Sequence, residues 1–129
     1  MNVRTAPTET APSMRDRMAM YNGNALKIGL FGANCSSGRS ATKVPERWSA
    51  SWPDCLKLAK MADDADIDFM LPIGRWKGYG GDTNFHGSTL ETVTWAAGLL
   101  GATKRITVFG IGRHSHQKNT PLMRRPCGS

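Results

Sequence analysis

Residues 67–73 read Ile-Asp-Phe-Met-Leu-Pro-Ile, and the glycine-rich stretch 74–87 (GRWKGYGGDTNFHG) follows directly. The first seven form a short apolar run of the length typical of a buried strand, and Pro72 lies near its end, where a missing amide is tolerated. Parallel α/β folds bind ligands at the carboxyl ends of such strands. This stretch therefore predicts both a fold class and the region where function should lie.

The segments on either side predict two helices and two further strands. Residues 51–54 (SWPD) and 88–91 (STLE) both have the capping-box pattern that starts a helix. Apolar runs at 26–31 and 105–110 predict the first and third strands, and Gly101 suits the end of the second helix. The predicted apolar stripes of the helices are Cys55, Leu58, Ala59, Ala62 and Ala65, and then Leu90, Val93, Ala97 and Leu100.

The resulting β-α-β-α-β order predicts an α/β fold with parallel strands, because each helix is long enough for a right-handed crossover. We expect residues 1–24 to be a flexible N-terminal arm, residues 25–110 the folded domain, and residues 111–129 a basic, disordered tail. Functional side chains should lie at the carboxyl ends of the strands, in residues 34–51 and 74–87.

The charge of the chain, formally +7, raises the possibility of nucleic-acid binding. Residues 26–110, however, carry ten basic and eight acidic side chains, whereas residues 111–129 carry four basic and no acidic ones. The predicted domain thus has the mixed charge of an ordinary surface, which makes nucleic acid an unlikely partner. A small module that binds nucleic acid through the tail remains an alternative.

Three cysteines without framework spacing favour a reducing compartment, and we expect a cytoplasmic protein with no membrane segment. No metal is predicted, because His114, His116 and Cys127 lack recognised ligand spacing. Residues 32–40 follow a strand but depart from the phosphate-loop pattern in glycine spacing and in having Arg39 in place of lysine. His86 has no nucleophile beside it in any sequence motif, so it could equally be a pocket or a surface histidine.

The loop 74–87 combines five glycines with three aromatic residues and two cations, Arg75 and Lys77. Close backbone approach, planar apolar surfaces and positive charge together suit an aromatic, anionic cofactor. The alternative is a flexible lid whose aromatic side chains pack on the rim of the fold.

Several stretches resemble the opening of luciferase-like flavin monooxygenases, in the group that includes pyrimidine, dimethylsulfone and alkanesulfonate monooxygenases. They are residues 27–31 (KIGLF), 68–69 (DF), 73–81 (IGRWKGYGG), 90–99 (LETVTWAAGL) and 106–109 (ITVF). The resemblance implies the N-terminal βαβαβ portion of an eight-stranded TIM barrel, which is incomplete at this length. It implies reduced FMN supplied by a separate NAD(P)H-dependent reductase, O₂ as co-substrate, a small organic substrate, and full-length relatives that are homo-oligomeric.

Carried over by position, the resemblance implies that Gly74 and Arg75 contact flavin. Trp76 should lie beside them, and Asn34 and Cys35 at the end of the first strand should face the same substrate pocket. The resemblance to the family stops near Ile111. This chain therefore does not match the later segments of the family, which bind the flavin phosphate and supply catalytic groups. We therefore expect a truncated monooxygenase that is inactive alone and binds flavin weakly if at all, or alternatively a self-contained oligomeric flavin-binding α/β domain.

Overall fold

The computed structural model describes residues 13–111 of the chain. In order, the elements are helix α1 (Met14–Arg17), a 3₁₀ turn (Ala19–Tyr21), strand β1 (Gly29–Phe31), helix α2 (Trp52–Asp64), strand β2 (Phe69–Leu71), helix α3 (Thr92–Leu100) and strand β3 (Thr107–Val108). The strands form one parallel sheet in the order β1-β2-β3. The predicted α/β class, element order and parallel pairing are confirmed.

Helices α2 and α3 pack against the same face of the sheet and enclose the core. Met70 of β2 and Leu99 of α3 are fully buried there, together with Cys55 and Ala59 of α2. Side chains alternate between the faces of a strand, so Phe69 and Phe109 lie on the other face, where their rings meet edge to face at 5.9 Å. The core thus lies on the helical side.

Each strand is shorter than the apolar run that predicted it. At the strand ends, side chains replace the neighbouring strand as the hydrogen-bond partners of some backbone groups. The carboxylate of Asp68 accepts the Ile28 N–H at 2.8 Å. At the other end of the sheet, the Asn34 side chain bonds both backbone groups of Ile73.

Helix α2 begins as predicted, with Ser51 as the N-cap and Pro53 in the first turn. Only half of the predicted capping box is present. The Asp54 N–H donates to the Ser51 hydroxyl at 3.3 Å, but the Asp54 carboxylate accepts from the Ser49 and Ser51 hydroxyls instead of the Ser51 N–H. The Ser49 hydroxyl accepts that N–H at 3.0 Å.

Helix α3 begins at Thr92, not near Ser88, so the predicted second capping box is wrong. Glu91 is itself the N-cap, and its carboxylate accepts the Val93 and Thr94 amides at 2.9 and 2.7 Å. The Leu90 backbone lies outside the helix because both of its polar groups bond Asn34. The buried stripe is consequently Thr92, Trp95, Ala96 and Leu99, whereas the predicted Val93 and Leu100 are exposed.

The end of the predicted N-terminal arm contacts the start of the sheet. The Ala19 N–H donates to the Arg105 carbonyl at 2.7 Å, and Ala19 is buried. The Asn22 side chain donates to the Asp68 carboxylate at 2.6 Å. The predictions for residues 1–12 and for the tail beyond Ile111 lie outside the described residues.

Candidate functional site

Asn34 joins three segments at the carboxyl ends of the strands. It is fully buried, and its side-chain amide donates to the Ile73 and Leu90 carbonyls at 3.0 and 3.1 Å. Its side-chain oxygen accepts the Ile73 N–H at 2.8 Å. These bonds hold the loop after β1 against the end of β2 and the start of α3. Contact between Asn34 and a substrate stays a prediction.

Cys35 is also fully buried and pairs with the segment before α3. Its backbone forms an antiparallel bridge with Thr89, and its Sγ lies 3.6 Å from the Thr89 hydroxyl. Burial raises the pKa of the Cys35 thiol, against the opposing effect of the bond to Thr89. A thiol with a raised pKa is a poor nucleophile, and the structure gives Cys35 a packing role.

A cavity of about 380 Å³ opens beside this junction. Its wall contains the predicted Gly74, Arg75 and Trp76, but neither Asn34 nor Cys35. Trp76 is 83% exposed at the rim. A Cβ placed on Gly74 would have the Ile111 side chain as its nearest neighbour, at 4.0 Å, so there is open space beside this residue of the cavity wall. The remaining wall residues are His86, Gly87, Thr89, Leu90, Glu91, Thr92 and Ile111.

The Arg75 guanidinium lies over the Tyr79 ring, 4.0 Å from its centroid. One of its terminal nitrogens donates to the Tyr79 hydroxyl at 2.7 Å. The Nε atom is buried and has no hydrogen-bond partner. Tyr79 therefore orients the Arg75 guanidinium. The buried Nε donor of Arg75, a residue of the cavity wall, stays unused.

His86 is a wall residue whose environment the sequence could not predict. It is 2% exposed, its ring stacks on Phe85 at 3.9 Å between centroids, and its Nε2 lies 2.7 Å from the Gly38 carbonyl oxygen. Its Nδ1 is buried without a partner. The partner carbonyl is 48 positions away in the chain, so no local motif could have indicated this contact.

The loop 74–87 is folded back on itself, and whether it also moves as a lid stays a prediction. The Tyr79 N–H donates to the Phe85 carbonyl at 3.0 Å, and their rings stack at 5.5 Å. Gly80 and Gly81 both have φ of +71°, a backbone conformation that glycine adopts without strain, and they form the turn.

Two opposite charges lie in the cavity wall. Arg75 supplies the positive one, and Glu91 the negative one, because hydrogen bonds from the Val93 and Thr94 amides lower the pKa of the Glu91 carboxyl to about 2. The Glu91 carboxylate also accepts hydrogen bonds from the backbone amides at the start of α3. Without it, those amides would attract an anion. The cavity therefore suits an uncharged polar group better than a phosphate.

Within residues 13–111, no three His, Cys, Asp or Glu side chains are close enough to hold a metal ion. His114, His116 and Cys127 lie outside the described residues. No helix in the described part of the chain is long and apolar enough to cross a membrane. The two cysteines of that part, Cys35 and Cys55, are free thiols.

No family model matches this chain. The chain is similar to curated pyrimidine monooxygenases. It is 30% identical to the pyrimidine monooxygenase of Acinetobacter baylyi over 84 residues, which cover 65% of this chain and 23% of the relative. It is 28% identical to that of Methylorubrum populi over 88 residues, 68% of this chain and 23% of the relative.

The Caulobacter relative of the same name is 29% identical over 84 residues, 65% of this chain and 24% of the relative. The chain thus spans about a quarter of the length of the curated relatives it matches. Over about two thirds of its own length, it is similar to enzymes named as monooxygenases, which are oxidoreductases.

Proposed function

We propose that residues 25–110 are the N-terminal βαβαβ part of a TIM-barrel flavin-dependent monooxygenase, and that the cavity beside Gly74 and Arg75 receives the flavin ring. The parallel strand order and the similarity to pyrimidine monooxygenases support this proposal. The observation that carries it is the cavity at the carboxyl ends of the strands, with Gly74 and Arg75 in its wall.

The wall residues fit the ring of a flavin better than its phosphate. Trp76 offers a planar apolar surface at the rim of the cavity, and the guanidinium of Arg75, oriented by Tyr79, offers a donor to a ring carbonyl. Glu91 repels an anion at the start of α3. We therefore propose that the flavin phosphate binds outside this cavity, in a part of the barrel that this chain does not match.

When bound, reduced FMN supplies the electrons that activate O₂ for oxygenation of a small organic substrate. This chain's residues bind and orient the ring: Arg75 fixes its polar edge, and Gly74 keeps the approach open. Asn34 and Cys35 join the three segments next to the site. A separate NAD(P)H-dependent reductase delivers the reduced flavin, in a reducing compartment where Cys35 and Cys55 stay free.

A chimera tests the proposal. Residues 26–111 of this chain replace the matching N-terminal quarter of the Acinetobacter baylyi pyrimidine monooxygenase. We expect the folded chimera to bind FMN and to consume O₂ with added reductase and substrate, whereas the Arg75→Ala chimera binds FMN more weakly. A folded chimera that binds no FMN would refute the proposal.

A further inference from the structure

Five buried side-chain polar atoms within residues 13–111 have no hydrogen-bond partner: Ser37 Oγ, Arg75 Nε, His86 Nδ1, Trp95 Nε1 and Thr107 Oγ1. Buried polar groups in folded proteins almost always have a partner, so each exception needs an explanation. Two of the five, on Arg75 and His86, belong to residues that line the same cavity. Both residues therefore carry an unused hydrogen-bonding atom, one on a guanidinium and one on an imidazole.

The hydrogen bond to Gly38 determines what His86 can offer. A carbonyl oxygen only accepts, so Nε2 of His86 must carry the hydrogen in this 2.7 Å contact. In the neutral ring the other nitrogen, Nδ1, is then an acceptor. Stacking on Phe85 and burial hold the ring in this orientation. His86 is therefore an acceptor, whereas Nε of Arg75 is a donor.

We propose that His86 is a flavin-binding residue, with Nδ1 accepting a hydrogen bond from the ring N3–H while Nε of Arg75 donates to an adjacent ring carbonyl. The oxidised isoalloxazine ring has one N–H, at N3, flanked by two carbonyl groups, which matches one acceptor beside one donor. This inference rests on the proposed function, because it assumes that the ligand of the cavity is a flavin.

The test compares FMN with 3-methyl-FMN, which lacks the N3–H donor, using the full 129-residue chain. We expect the wild type to bind FMN about tenfold more tightly than the methylated compound, since a buried acceptor is left unpaired by the latter. His86→Phe keeps the ring shape but has no acceptor, so its preference for FMN over the methylated compound should be clearly smaller than that of the wild type. The steric effect of the methyl group is similar in both proteins and cancels in this comparison.

A second measurement does not depend on the variant folding. In the wild type labelled with ¹⁵N at histidine, FMN should move the His86 Nδ1 resonance upfield, and 3-methyl-FMN should leave it in place. Saturable FMN binding without a change at Nδ1, or with the same preference in His86→Phe, overturns the role of His86 but leaves the flavin proposal standing. No binding of either compound to the folded wild type or to the folded chimera overturns both.

Discussion

Nε2 of His86 donates a hydrogen bond of 2.7 Å to the Gly38 carbonyl oxygen, and this contact joins the loop after β1 to the loop after β2. The backbone of Gly78 packs directly against the same histidine. A Cβ on Gly78 would lie 2.6 Å from the His86 carbonyl oxygen and 2.8 Å from the Gly87 Cα. The position of His86 therefore depends on the lack of a side chain at residue 78.

Gly78→Ala should displace His86 from Gly38, because the atoms that the new methyl group meets are backbone atoms that cannot simply rotate away. We expect a loss of about 1–3 kcal/mol of stability, as for other overpacked sites, and a changed His86 ring signal in NMR spectra. Gly23→Ala is the matched control, since a Cβ there meets nothing within 4 Å. An unchanged His86 signal in Gly78→Ala would show that the loop can relax around the methyl group.

Asn34→Ala should destabilise the protein by about 2–4 kcal/mol, because it removes the side-chain partners of three part-buried backbone groups of Ile73 and Leu90. Urea unfolding measures the change in free energy. Asn24→Ala, at an exposed position, should change it by less than about 0.5 kcal/mol. Equal stabilities of the two variants would contradict the role of Asn34 as the junction of the three loops.

Asp63 should make the stability of the protein depend on pH. Burial alone would raise the pKa of its carboxyl, but hydrogen bonds from the backbone amides of residues 104–106, at 2.7 to 2.9 Å, outweigh that effect and lower it from 3.8. A lowered folded-state pKa means that the stabilisation is complete above the unfolded-state value and is lost as the pH falls through the folded-state pKa.

Asp63→Asn should therefore lower the free energy of unfolding by about 1 kcal/mol at neutral pH. The effect is small because the carboxylate is partly exposed to solvent. The difference from the wild type in urea unfolding should shrink below about pH 4. Asp64→Asn, on the exposed side of the same helix end, serves as the control. A difference that stays constant down to low pH would contradict a role for the charge.

The sequence predicted the helices and strands well where the deciding interactions are local. Ser51 and Pro53 start α2 as expected, because the capping bond spans three residues. The start of α3 was misplaced because 88–91 fits the same pattern, whereas the actual start depends on bonds between Leu90 and Asn34, 56 positions apart. Local patterns carry no information on such a contact.

The candidate site was predictable only in part for the same reason. Gly74, Arg75 and Trp76 line the cavity because the loop that directly follows β2 must lie at that edge of the sheet. The burial of Asn34 and the orientation of His86 depend on packing between separate loops. Only the structure shows that Asn34 bonds the backbone of the wall residue Leu90 and that His86 belongs to the wall.

The most direct test of a flavin site at Arg75 is a titration of FMN into ¹⁵N-labelled chain, followed by NMR up to millimolar FMN. The account predicts saturable shifts at Gly74, Arg75 and His86, and an affinity at least about tenfold lower in Arg75→Ala, because a charge-assisted hydrogen bond is lost. Lys77→Ala, which changes an exposed cation outside the cavity wall, should bind like the wild type. No saturable shifts in either the folded chain or the folded chimera, or equal affinities of Arg75→Ala and the wild type, would contradict the flavin site.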